Sequence, residues 1–551
     1  MKNNNKFKLD VWGFMTIGII LLYAFFLIAP VGYLMIKSIW NGDVISFDNF
    51  VKFFSKSYYF ETLLNSLKVS FVSTLTALCL GAPMAYFFTV YKVRGKKLLQ
   101  ILIIIASMSA PFIGAYSWIL LMGRNGVIMD FFAGMGIHLP PVYGFHGIVL
   151  VFTLQLFPLV FLYVNGALKN IDNSLIEASE QMGCTGFRRF MKIIIPLIAP
   201  TMFAAGLLVF MRALADFGTP SLLGEGFRTF PQLIYTEFVG ELGGDDGFAA
   251  AISVIAVAIT MLVFVIQKVY SERKSFTMNS LHPIEPKPMK RSVSVFVHIF
   301  CYGFVGMAVL PQCYVIYTSF LKTNELVFEK GYSLESYEKM FSTLGTAIQN
   351  TILIPLTALV LIILLAILIA YLAVRRRNVL TQFVDLVSMI PYIVPGIVVG
   401  IALLLYFTKK PLGFSVVGTM TIMVIALVIR RLPYTIRSSV AILQQIPMNI
   451  EEAALSLGST KLKTFFKITV PMMSSGIISG AILSWVTMIS ELSTAIILYT
   501  TKTQTLTVSV YTQVIRGNYG VAAALSTVLT CLTVISLLVF MKVSKGKDIS
   551  L

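Results

Sequence analysis

From Val11 to Ile36 the chain runs for 26 residues without a charged side chain, and from Leu353 to Val374 it does so again for 22. About 20 apolar residues in a helix cross the hydrocarbon core of a bilayer. No water is available there to satisfy backbone N–H and C=O groups, so such a segment must close its own hydrogen bonds, and a helix does this within one segment. Composition agrees: 57% of the residues are hydrophobic and 12% charged, against about a quarter charged in soluble domains. The expected fold class is an all-α polytopic membrane protein. The first run is too long for a signal-peptide core and lacks a small-residue cleavage site after it, so it is expected to be retained as the first span.

Twelve spans are expected, with the bilayer as their solvent. In the first half they cover roughly 11–36, 65–91, 98–121, 144–168, 197–215 and 248–270; in the second, roughly 293–320, 350–374, 379–407, 416–436, 472–489 and 519–541. Pro30, Pro83, Pro111, Pro158, Pro355, Pro391 and Pro395 fall inside them, where membrane helices tolerate kinks.

The net charge of +18 does not indicate nucleic acid, because the basic residues sit in short clusters beside apolar runs, the pattern that sets membrane topology. On alternate sides of the twelve spans, 29 of the 43 Lys and Arg collect on one face, leaving net charges of +19 and −1. That face is expected to be cytoplasmic, with both termini on it. The five cysteines are scattered and mostly within apolar segments, so they read as small core residues. His138, His146, His282 and His298 are dispersed, and none has a partner at metal-ligand spacing; no metal site or cofactor is expected in the chain.

One polar stretch between the apolar runs occurs twice. Glu177-Ala178-Ser179, Gly183, Ile193 and Pro196 return 275 residues later as Glu452-Ala453-Ala454, Gly458, Ile468 and Pro471. The repeat extends further: Asn65-Ser66 resembles Asn350-Thr351, Ala85-Tyr86 resembles Ala370-Tyr371, and Asp216 matches Glu491 at the same offset of 275. The chain thus divides into residues 1–270 with a hairpin at 172–196, a polar, Pro-broken cytoplasmic linker at 271–292, and residues 293–551 with a hairpin at 447–471. An even number of spans gives both halves one orientation. They are then parallel repeats about an axis along the membrane normal, with a central pathway between them as the natural place for a substrate.

Glu177 and Glu452 are expected to open short helices whose positive N-terminal dipole they complement, after turns at Asp172-Asn173-Ser174 and Pro447-Met448-Asn449 that can cap them. Gly183 and Gly458 permit a sharp change of direction. Pro196 and Pro471 suit the first turn of the following span.

The hairpin pattern, Glu-Ala-Ala, three residues, Gly, nine residues, then Ile-x-hydrophobic-Pro, resembles the cytoplasmic signature of permease subunits of type I ABC importers. Ser179 stands for the second Ala in the first copy. The resemblance covers nearly the whole chain and implies the permease fold of that family, with each hairpin a coupling helix seated on an ATPase subunit. Gly95-Lys96-Lys97 and Gly546-Lys547-Asp548 do not continue into the Ser or Thr of a phosphate loop, so ATP hydrolysis is expected in a separate subunit and the chain itself is not an enzyme. Two hairpins imply two ATPase copies. An extracytoplasmic substrate-binding protein is the other implied partner, and the bacterial inner membrane the implied location. Pro111-Phe112-Ile113, Trp118, Gly123-Arg124 and Ala215-Asp216-Phe217-Gly218-Thr219-Pro220 resemble the fused permeases that import ferric iron. Related stretches occur in importers of aminoethylphosphonate and of thiamine.

Acidic residues at membrane depth are costly and mark function by default. Asp216 and Glu491 are therefore expected to face each other across the outer mouth of the pathway and to favour a cation, or else to be satisfied locally. Arg212, one turn before Asp216, could pair with it. The acidic stretch from Glu237 to Asp246 could meet the binding protein. An ion-driven secondary transporter is the first competing reading, since parallel repeats also build those. A membrane-embedded enzyme is the second, but it would need catalytic polar groups within spans, and no such motif is present.

Overall fold

The computed structural model describes residues 10–41, 44–108, 111–240, 245–273, 284–324 and 327–543. Residues 274–283 of the expected linker and 241–244 of the acidic stretch lie outside the described residues. Among the described residues the regular elements are helices except for two antiparallel ribbons. One pairs Trp40–Asn41 with Val44–Ile45, and the other pairs Leu321–Asn324 with Val327–Tyr332. Each follows the first span of its half, so even these departures obey the repeat.

Among the described residues, eight helices are long and apolar enough to cross a membrane, and three sharply bent pairs raise the number to eleven. Two bends fall at corresponding places: Lys96–Ser107 meets Phe112–Gly134 at 101°, and Val379–Ile393 meets Gly396–Thr408 at 110°. The third, 66°, separates Lys461–Met472 from Ser474–Ile489. The tenth expected span, 416–436, is not among these eleven and is the helix Met420–Gln445. It carries Arg430, Arg431 and Arg437, so it does not qualify as apolar. It lies against Glu335–Arg375 and Ser474–Ile489.

Without a hydrophobic drive between helices in lipid, close backbone approach supplies much of the packing energy. Gly476 and Gly480 provide it here: a Cβ on Gly476 would stand 2.7 Å from the Ser438 carbonyl, and one on Gly480 would stand 2.6 Å from Thr435 Cα. Ser438 Oγ donates to the Gly476 carbonyl at 2.7 Å across the same contact.

The repeated Asn-Ser/Thr pair has a defined task. Ser66 Oγ accepts the N–H of Phe230, first residue of the helix Phe230–Val239, at 2.7 Å. Thr351 Oγ1 accepts the N–H of Leu506, first residue of Leu506–Ile515, at 2.7 Å. The neighbouring Asn65 donates to the Arg228 carbonyl, and Asn350 to those of Lys502 and Gln504. Both halves therefore pin the chain between their fifth and sixth spans by supplying an acceptor to an otherwise orphaned N-terminal N–H.

The first span of each half crosses over. Trp12 packs on Tyr371 and Phe465 at ring separations of 4.6 and 5.1 Å, and Phe25 meets Tyr406 and Phe407. Reciprocally, Phe296 and Phe300 of Arg291–Thr318 meet Phe87, while Tyr302 Oη donates to the Arg94 carbonyl at 2.7 Å.

Candidate functional site

Each hairpin is a short helix, a glycine turn and a second helix that leads into a span. The first helix is Asn173–Gln181 in one copy and Asn449–Ser456 in the other. Glu177 does not open its helix. Asp172 caps it by accepting the Ser174 N–H at 3.0 Å, and Glu177, one turn in, accepts from Asn173 Nδ2 at 2.7 Å. The second helix has no side-chain cap and instead carries Glu451 and Glu452 in its first turn. Glu177, Ala178, Glu452 and Ala453 are exposed, whereas Ser179 and Ala454 are buried. A small residue occupies that buried third position in both copies, and Ser179 satisfies its hydroxyl on the Ile176 carbonyl at 2.6 Å.

Gly183 and Gly458 have φ of 72° and 86°, the left-handed region that glycine enters at least cost. In each copy the residue after Gly donates its N–H back to the third residue of the motif, Cys184 to Ser179 at 2.8 Å and Ser459 to Ala454 at 3.1 Å. These are Schellman closures.

Pro196 and Pro471 do not stand in the first turn of a span as expected. The helix has already begun at Gly186 and at Lys461, and it passes through a π-turn at Phe190–Ile194 and at Phe465–Thr469. The proline follows at the second residue beyond that turn. Proline has no N–H, and its ring crowds the carbonyl four residues back. A local π register accommodates this; the first copy runs on as helix to Ala215, and the second bends by 66° after Met472.

The sequence reading missed what holds the hairpins. Glu451 is buried and accepts from Arg375 Nε at 2.8 Å and from Tyr371 Oη at 3.3 Å, while a second Arg375 nitrogen reaches the Ile446 carbonyl at 2.7 Å. In the first copy, Glu180 binds Arg189 and also Lys287, whose Nζ lies 2.7 and 2.9 Å from its two oxygens. These bonds hold the Glu180 carboxyl below its usual range, that with Lys287 foremost. Lys287 belongs to the linker, which also pairs with Tyr91. The sequence signal was the second acidic residue beside each motif, set against a basic residue that only the fold brings near.

About 20 residues beyond Pro196 along its helix, on the order of 30 Å at ~1.5 Å per residue, Asp216 lines a cavity of about 240 Å³ between the halves, and Glu491 lines it too. A larger cavity of about 560 Å³ adjoins it, sharing Leu208, Arg212, Tyr392 and Tyr434. The two carboxylates line one cavity, and each has a partner within the chain. Glu491 is paired with both Arg430 and Arg431 and also accepts the Thr494 N–H at 3.1 Å. Asp216 accepts the Thr219 N–H at 2.8 Å, and no ion pair joins it to Arg212 among the described residues. Arg430 and Arg431, counted above with the cytoplasmic cluster, belong to this cavity; the charge bias survives their removal. Two adjacent arginines inside an apolar stretch were the available signal.

Elsewhere, Arg124 pairs with Glu225 at 3.1 Å on an exposed surface. Asp245 caps Asp246–Arg273 through the Phe248 N–H and pairs with Lys52. Among the described residues no group of three or more His, Cys, Asp or Glu could hold a metal ion.

The sequence is similar to the ferric transport system permease protein FbpB of Actinobacillus pleuropneumoniae, 28% identical over 540 residues that cover 95% of this chain and 77% of that one. A putative ferric transport system permease protein, FbpB 1, of Haemophilus influenzae is 28% identical over 88% of this chain and 78% of its own. The spermidine/putrescine transport system permease protein PotB of the same species is 26% identical over 48% of this chain and 93% of its own. The sequence profile for a binding-protein-dependent transport system inner membrane component matches twice, at residues 77–276 and 336–544. The chain therefore belongs to the binding-protein-dependent transport system inner membrane component family, with two copies of the family domain fused in one polypeptide.

Proposed function

We propose that the chain is the membrane subunit of an ATP-driven ABC importer that carries ferric iron inward by alternating access. The observation that carries the reading is the pair of matching hairpins, Glu177 to Pro196 and Glu452 to Pro471, in a chain alignable over 95% of its length with a ferric permease. Each hairpin presents its Glu-Ala edge and its glycine turn outward as a docking surface for one copy of a separate ATPase subunit. A loaded extracytoplasmic binding protein delivers cargo at the opposite end. The Lys and Arg bias supports hairpins and termini on the cytoplasmic side of the bacterial inner membrane.

ATP-driven approach of the two ATPase subunits draws the hairpins together, and the halves rock about the cavity that holds Asp216 and Glu491. This requires each hairpin to favour one ATPase state over the other. The chain needs no cofactor of its own. Polyamine cargo, the alternative offered by the half-length relatives, fits poorly because arginines outnumber carboxylates around the smaller cavity.

The test is uptake of radiolabelled ferric iron into proteoliposomes containing this chain, its co-purified ATPase and the cognate binding protein. ATP-dependent iron uptake supports the proposal. Uptake of aminoethylphosphonate, thiamine or spermidine instead, or ion-gradient-driven uptake with no ATPase bound, overturns it.

A further inference from the structure

We propose that the cavity between the halves binds an oxyanion of the phosphate or carboxylate class, gripped by Arg212. The inference rests on the importer reading for its placing of the pathway, and it names the chemistry that the pathway accepts.

Three guanidinium groups, Arg212, Arg430 and Arg431, line the smaller cavity with two carboxylates, Asp216 and Glu491. One positive charge is in excess within low-dielectric walls, where fields are focused. The carboxylates are already engaged, Glu491 by both neighbouring arginines and Asp216 by the Thr219 N–H. The donors are not used up. No ion pair among the described residues involves Arg212, and it faces both chambers. Nε of Arg430 and Nε of Arg431 are buried without an acceptor among the described residues.

Buried N–H groups without acceptors are expensive, and a planar guanidinium matches a carboxylate or phosphate through two parallel bonds. The phenols of Tyr163, Tyr392 and Tyr434 line the larger chamber beside Arg212 and add neutral donors. A bare cation meets surplus positive charge, and the Glu491 carboxylate is already held by two arginines. With no cluster of metal-ligating side chains among the described residues, a ferric ion passing here keeps its own ligands and presents their oxygens to the arginines.

The experiment is calorimetric titration of the purified full chain in lipid nanodiscs with inorganic phosphate, citrate, ferric citrate and spermidine. Phosphate or citrate is expected to bind the wild type. Arg212→Gln should weaken that binding at least tenfold, and Arg212→Lys should recover part of it because the charge is kept while the fork is lost. An unchanged melting temperature in Arg212→Lys shows that the fold tolerates the site's alteration. Tighter binding of ferric citrate than citrate supports an anion carried on the metal, and equal binding supports a free anion. Anion binding equal in wild type and Arg212→Gln, no anion binding to wild type, or displacement of the anion by spermidine overturns the inference. Iron uptake by the assembled transporter is read separately. Arg212-dependent anion binding without iron uptake sinks the ferric reading alone, and iron uptake with Arg212-independent anion binding sinks this inference alone.

Discussion

Met182 and Leu457 lie 275 residues apart in the chain and at one place in the repeated fold: each is the last side chain before a positive-φ glycine, and they are 84% and 89% exposed. An apolar side chain so fully presented at a polar hairpin tip is not covered by any of the described residues. Anchors of this kind dominate binding where they fill a pocket. Met182→Ala and Leu457→Ala are each expected to weaken ATPase association about tenfold, or ~1.4 kcal/mol, without changing insertion. Surface plasmon resonance of nanodisc-embedded variants against the purified ATPase checks this, and unaltered affinity in the double variant refutes it.

The glycine turns should fail by backbone conformation alone. A Cβ at Gly183 or Gly458 meets nothing within 4 Å, so Gly→Ala should cost only the left-handed backbone penalty, about 1–2 kcal/mol, and spare function. Proline cannot adopt these φ values. Gly183→Pro with Gly458→Pro should abolish ATP-driven uptake while the protein still inserts, and wild-type uptake in that variant removes the coupling role from the hairpins.

Arg375 and Glu451 form a pair whose side chains are 8% and 7% exposed. Removing one partner of such a buried pair costs about 3–5 kcal/mol. Arg375→Ala should therefore lower the melting temperature and accelerate amide exchange in Asn449–Ser456. By contrast Lys52→Ala, which breaks a pair with side chains 33% and 50% exposed, should cost under ~1 kcal/mol. Equal effects of the two substitutions would contradict this assignment.

The linker clasp is pH-sensitive in one direction. The Glu180 carboxyl is held below its usual range, chiefly by Lys287 and then by Arg189. Its contribution is thus complete above the unfolded value, about 4.3, and is lost as pH falls through the depressed folded value. Amide protection in residues 284–290 should drop in that acid window. In Glu180→Gln it should already be low at neutral pH and change little on acidification. A wild-type profile in that variant would show that Lys287 is held by something else.

The span pattern, the twofold repeat and the hairpins could all be read from the sequence because each is a local property. Apolar length must satisfy the backbone inside hydrocarbon, and the spacing of Glu, Gly and Pro is written along a single strand of chain. The Asn65-Ser66 and Asn350-Thr351 pairs were visible as a likeness, but their role in capping Phe230 and Leu506 was not, because donor and acceptor lie more than 150 residues apart. The same limit governed the charges. Arg430 and Arg431 counted only toward the charge bias until folding set them against Glu491, and Lys287 looked like linker until it met Glu180. A charge declares its sign in sequence, but its energy depends on what stands a few ångströms away, and only the tertiary structure decides that neighbour. Local chemistry along the chain therefore specifies a doubled membrane protein with two matching polar hairpins. The tertiary structure decided that the carboxylates Asp216 and Glu491 share their cavity with an excess of arginine.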